Sequence, residues 1–226
     1  MPMLHRTIAV TDVGKTPLMD AIIKGDNEKV NELIARGANL DEQDEQGWTA
    51  LQLAAAYGRT EIVNALLAAQ PPADPNIRNS IGRTALMYAA ALGYTAIVKA
   101  LLDNDAKPNA ASHDSEDASE TGWMLEGETA LMLAAWSGHS DIIRLLINAD
   151  ADVNAKGGPL GGTALHSALW EGFANSIQAL LEAPKLDMSQ TDSSGRTAKE
   201  AAREMGREKI ARMLEAAEAA HLTKAS

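Results

Sequence analysis

A chain of 226 residues with a formal charge of −11 lacks the surplus of lysine and arginine that a nucleic-acid backbone or an anionic membrane surface demands of a principal partner. The absence of cysteine excludes disulfides, thiolate zinc sites and thiol nucleophiles together. One phenylalanine and three tyrosines among abundant alanine and leucine leave little material for a large aromatic core and suit closely stacked helices.

The first segment, residues 1 to 11, is an N-terminal extension whose apolar stretch Leu4 to Val10 is expected to lie against the first helical unit or to fray. That unit opens near residue 12. Thr16 has the side chain of a helix N-cap, and Pro17 stands in the first helical turn, where a missing N–H costs nothing. A helix is predicted to about Lys24, Gly25 breaks it, and Val30, Leu33 and Ile34 repeat at the spacing of a second helix packed back on the first.

The second unit begins near residue 44 and places Leu51, Ala54, Ala55, Ile62, Val63, Leu66 and Leu67 on buried faces; the third, near 79, does the same with Leu86, Ala89, Ala90, Ile97, Val98, Leu101 and Leu102. After Asn109 the pattern pauses for an acidic insertion, residues 110–125. The surrounding stretch from Asp103 to Glu128 holds eight acids and one lysine. The fourth unit, near 126, resumes with Leu131, Ala134, Ala135, Ile142, Ile143, Leu146 and Ile147. The fifth, near 160, comes after the glycine-rich turn Gly157 to Gly162. In the sixth, near 193, Lys199, Glu200, Arg203 and Glu204 replace apolar residues, as a terminal repeat must when it faces water. Residues 219–226 are a C-terminal tail.

These units share one register. Threonine recurs at Thr16, Thr49, Thr84, Thr129, Thr163 and Thr197, with alanine five residues later and glycine nine residues later each time. The spacings of 33, 35, 45, 34 and 34 residues mark a stacked-repeat protein, in which each unit touches only its neighbours. The long interval falls between units, where a projecting finger absorbs extra residues without disturbing the helices.

The unit resembles the ankyrin repeat. Its signature Thr-Pro-Leu-His-x-Ala-Ala-x-x-Gly-His is matched at Thr16-Pro17-Leu18 and at Thr163-Ala164-Leu165-His166, although proline survives at Pro17 alone, histidine at His166 alone, and Lys199 replaces the leucine in the last copy. The resemblance covers about residues 12 to 218 and implies an all-α solenoid of helix-turn-helix units with β-turn fingers, forming a single domain over 12–218. It also implies a non-enzymatic protein-interaction module, with no cofactor, no metal and no catalytic residues.

Motifs that suggest other chemistry fit less well. Gly14-Lys15-Thr16 ends like a phosphate-binding loop, but Ala9 stands where its first glycine belongs. Asp150 to Asn154 begins like a calcium loop, yet Ala155 takes the glycine position and Gly161 the glutamate position. His113, Asp114, Glu116 and Asp117 match no ligand spacing and read as a solvated acidic loop. His139 and His166 have no evident acid partner and take helix-capping or turn positions.

In an ankyrin-like unit, the position before the signature threonine and the two before the glycine face a concave groove. Trp48 occupies the first kind of position, and Trp136 and Trp170 the second, with Tyr57, Tyr88 and Leu92 on neighbouring units and Trp123 in the inserted finger. Tryptophan is enriched among interface anchors. With the acids Asp44, Glu45, Glu126, Glu128 and Glu171 at the rim, the expected partner is a protein with a basic and apolar patch, bound by a monomer. An alternative is an inhibitor or immunity-type protein whose 110–125 finger blocks another protein's active site. No stretch approaches the roughly 20 apolar residues of a membrane span, and Met1 to Val10 lacks a signal-peptide core. The expected location is cytoplasmic, or periplasmic or secreted if a leader has been removed.

Overall fold

The computed structural model describes residues 14–113 and 126–224. The expected extension 1–11 and residues 114–125 of the insertion, with Trp123 and the inhibitory-finger reading, lie outside the described residues.

Among the described residues there are twelve helices in six antiparallel pairs: α1 (Pro17–Lys24) with α2 (Asn27–Ala35), α3 (Ala50–Ala56) with α4 (Thr60–Ala68), α5 (Ala85–Leu92) with α6 (Thr95–Leu102), α7 (Ala130–Ser137) with α8 (Ser140–Asn148), α9 (Ala164–Glu171) with α10 (Ala174–Leu181), and α11 (Ala198–Glu204) with α12 (Glu208–Lys224). The last helix runs on through residues expected to form a tail. Isolated bridges are the only extended pairing among the described residues.

Each first helix starts at a signature threonine in extended backbone, and five of these threonines accept the N–H three residues on: Met19, Gln52, Met87, Met132 and Glu200. One orphan donor is thereby satisfied at each start. The first helices are apolar almost all round. All of α3 and seven residues of α5 are buried, because each lies between two other first helices and its own second helix. The second helices are amphipathic, burying Ile62, Val63, Leu66 and Leu67 in α4 and Ile142, Ile143 and Leu146 in α8. First helices pack more closely on one another than second helices do. Alanines at their contact faces permit the close approach.

Consecutive pairs are keyed together at their tips. A side chain from each unit covers the helix-ending glycine of the unit before it: Arg59 over Gly25, Tyr94 over Gly58, His139 over Gly93, Phe173 over Gly138 and Arg207 over Gly172. At Gly93, with φ of 81°, a Cβ would stand 2.5 Å from the His139 ring, so glycine is required there both for the left-handed turn and for the stack.

The fingers repeat as faithfully. The N–H of Asp44 donates to the Trp48 carbonyl and that of Gly47 to the Asp44 carbonyl; Asn79, Arg83 and Gly82 repeat the arrangement, as do Asp192, Arg196 and Gly195. Ser112 N–H donates to the Glu128 carbonyl at 2.9 Å and Gly127 N–H to the Ser112 carbonyl at 3.0 Å, closing the fourth finger with the same bonds across the inserted residues. Fingers are joined by backbone bonds from Ser80 to Gln46, His113 to Ile81, Gly158 to Glu126 and Ser193 to Leu160. At the other end of the repeats, Asn76, Asn109 and Asn154 each accept a backbone N–H from the next unit and donate to one of its carbonyls.

The C-terminal unit closes the stack with ion pairs. Lys199 meets Glu218 at 2.5 Å, Arg203 meets Glu215, and Arg196 bridges Asp192 at 2.7 Å and Glu204 at 2.6 Å.

Candidate functional site

The groove side is built from the fingers and the first helices, and its two halves differ. In the part formed by the second and third units, closed by Glu128 of the fourth, Trp48 and Tyr88 are inside. Trp48 is 4% exposed and stacks on Tyr88 at 4.5 Å between ring centroids; Tyr88 is 1% exposed. The Tyr88 hydroxyl accepts from Asn79 Nδ2 at 2.8 Å, and burial pushes its pKa up to about 12 despite the nearby Arg83. Arg83 lies over the same ring at 5.9 Å and donates to Glu128 Oε2 at 2.5 Å.

Trp48 and Tyr88, expected on the open groove, are therefore core residues. The cause is a continuous buried contact from Trp48 through Tyr88 and Arg83 to Glu128, spanning three units. Two rim acids are corrected for the same kind of reason. Glu128 is buried against Arg83, and the buried Asp44 spends Oδ1 on the N–H groups of Gln46 and Trp48, shaping its own finger. Tyr57 and Leu92 are half-buried, with Tyr57 packed against the core.

In the other half the rings are open. Trp136 and Trp170 stack at 5.5 Å with an interplanar angle of 18°. Trp136 is half-buried, while Trp170, Phe173 and Met205 are the large apolar side chains that stand exposed among the described residues, at 42%, 38% and 39%. They lie at the C-terminal ends of α9 and α11 and the start of α10. Sequence reasoning missed Phe173 and Met205. For Phe173 a signal existed: it comes directly after the helix-ending glycine, where Arg59, Tyr94, His139 and Arg207 stand in other units, so one of its faces covers Gly138 while the residue as a whole stays 38% exposed. Glu45, Glu126 and Glu171 are exposed and form no ion pair among the described residues. Beside Trp136, a shallow cleft runs between α7 and the glycine-rich fifth finger.

The histidines serve structure. His166 Nδ1 accepts from the Thr163 N–H at 3.2 Å, which leaves the proton on Nε2 to donate to the Arg196 carbonyl at 3.1 Å. Burial holds its pKa below the ordinary imidazole value. His139 is lowered likewise by burial, against the opposing effect of a hydrogen bond to the Ala91 backbone. No group of three or more His, Cys, Asp or Glu among the described residues is placed to hold a metal ion, and no helix there is long and apolar enough to cross a membrane.

Helical pairs stacked in register, with hydrogen-bonded fingers along one edge, define a class: repeat scaffolds whose stacked units present an extended surface. The chain belongs to the ankyrin-repeat family, whose three-copy model matches it over residues 4–79, 71–157 and 111–192. It is similar to a putative ankyrin repeat-containing protein of Treponema pallidum (strain Nichols), at 39% identity over 33% of this chain and 25% of that protein. It is similar also to the 2-5A-dependent ribonuclease of Mus musculus, at 38% identity over 34% of this chain and 10% of the ribonuclease. The chain thus aligns with a quarter or less of the length of these curated relatives.

Proposed function

We propose that this chain is a non-enzymatic recognition module that binds a protein partner through the groove-side surface of its fourth to sixth units. Ankyrin repeats are generally protein–protein interaction modules. The observation that supports this placement is the exposure of Trp170, Phe173 and Met205 beside the Trp136–Trp170 stack. Exposed tryptophan held rigid by a neighbour loses little side-chain entropy on binding, which makes it a good anchor. The free acids Glu126 and Glu171 and the net charge of −11 favour a partner whose apolar patch is flanked by basic groups. The similarity to the ribonuclease covers a tenth of that protein and supports the repeat alone.

The test uses a partner isolated by affinity capture. Trp170→Ala should weaken its binding by on the order of 2 kcal/mol, as expected for a hot spot. Asn64→Ala, on an exposed position of α4, should leave it unchanged. Unaltered affinity of the Trp170 variant would move the site elsewhere.

A further inference from the structure

We infer that the cleft between α7 and the fifth finger is an arginine subsite, which takes one arginine side chain from an extended segment of the partner protein; this rests on the surface assigned above. The cleft is lined by Glu128, Met132, Trp136, Pro159, Leu160 and Ser167. Its lining is mixed, with the Trp136, Pro159 and Leu160 side chains beside the backbone of Gly157 and Gly158, Ser167 and the Glu128 carboxylate.

Glu128 gives the carboxylate. Its Oε2 is taken by Arg83, whereas its Oε1 accepts no hydrogen bond among the described residues. That oxygen lies beside Gly158, where an added Cβ would meet Glu128 atoms alone, with Oε1 at 3.9 Å. The missing side chain at Gly158 therefore leaves an approach to Oε1 from the cleft. Trp136 gives the platform. The ring is fixed on one side by Trp170, so a guest packs against it without first ordering it. Glu126, whose carbonyl accepts the Gly158 N–H, adds negative charge on the adjoining finger, opposed by Lys156 on the fifth finger.

This combination matches arginine better than any other side chain. Its aliphatic stem covers Trp136, Pro159 and Leu160, and its planar guanidinium both stacks on indole and donates in the plane to a carboxylate oxygen. Lysine lacks the planar head and holds its water more tightly. A neutral apolar side chain would cover the walls while burying Oε1 without a donor, which is costly.

The experiment selects linear peptides from a displayed random library on the full chain and keeps those whose binding is lost on Trp170→Ala. Retained peptides should carry a recurring arginine. Replacing it with citrulline, which keeps the shape and removes the charge, should weaken binding at least about tenfold. Glu128→Gln should shrink the gap between the arginine and citrulline forms, a cycle that isolates the pair. If that variant does not fold, the citrulline comparison on the unaltered chain decides by itself. Retained peptides without arginine, citrulline forms that bind equally well, or an undiminished gap in a folded Glu128→Gln variant overturn the subsite and leave the surface assignment standing. Failure to retain any peptide overturns both.

Discussion

His166 and Gln52 do the same work with different chemistry. Both stand three residues into a first helix. Gln52 Oε1 accepts the Thr49 N–H at 3.0 Å and its Nε2 donates to the Ile77 and Arg83 carbonyls, while His166 uses Nδ1 and Nε2 toward Thr163 and Arg196. Only the histidine titrates. Because burial lowers its folded-state pKa, the unfolded chain binds the proton more readily below the ordinary imidazole pKa of about 6.5. This contribution is therefore complete above that pH and is lost as the pH falls through the window beneath it, with His139 acting in the same direction. His166→Gln should change stability at pH 7.5 by less than about 1 kcal/mol and reduce its decline toward pH 5.5. Urea unfolding at the two pH values checks this; parallel losses in both proteins would contradict it. The tryptophans give a second contrast. Trp48→Ala empties a buried stack and should cost about 3 to 5 kcal/mol. Trp170→Ala forfeits a partly exposed stack and should cost about 1 kcal/mol.

At the scale of the helical pair, stability resides in how the tip of one unit fits the next. Gly93 and Gly206 both have left-handed backbone, with φ of 81° and 69°, but His139 covers the first and nothing lies within 4 Å of the second. Gly206→Ala should cost the left-handed strain alone, about 1 kcal/mol. Gly93→Ala should cost a further 1 to 3 kcal/mol or so, because the ring must move out of a packed column. Thermal unfolding of the two variants separates strain from stacking, and equal losses would mean that the His139 ring yields freely. The fingers have an analogous key in Arg83 and Glu128, whose side chains are 5% and 12% exposed. Removing one partner leaves the other charge buried. Glu128→Ala should cost about 3 to 5 kcal/mol, with Glu128→Gln milder because an acceptor remains.

Across the whole molecule, the energy is distributed along a line of neighbouring interfaces. The described C-terminal end is faced with ion pairs rather than apolar surface, and the open apolar side chains sit on the groove side. Burying them in self-association would give a small interface for a stable dimer. Sedimentation at micromolar concentration should accordingly show a monomer. A dimer abolished by Trp170→Ala would instead make the same surface a self-association site.

The sequence by itself determined the register of the units. Thr16 and four of its five counterparts cap helices through bonds three residues long, the glycines end them by local backbone geometry, and the alanine and leucine stripes arise from the helical period. Such short-range effects are written at fixed spacings. The same regularity located the interruption after Asn109 within a finger, whose closing bonds between Ser112 and Gly127 and Glu128 are those of the second, third and sixth fingers. What only the tertiary structure decided is which groove residues remain open. Trp48 and Trp170 both occupy groove positions of their units. Trp48 is covered because the following unit places Tyr88 and Arg83 against it, and Trp170 stays open because the last unit offers Glu204 and Met205 at the matching positions. Burial at the boundary between repeats depends on pairs of side chains some thirty to forty residues apart, so a position within one unit cannot specify it.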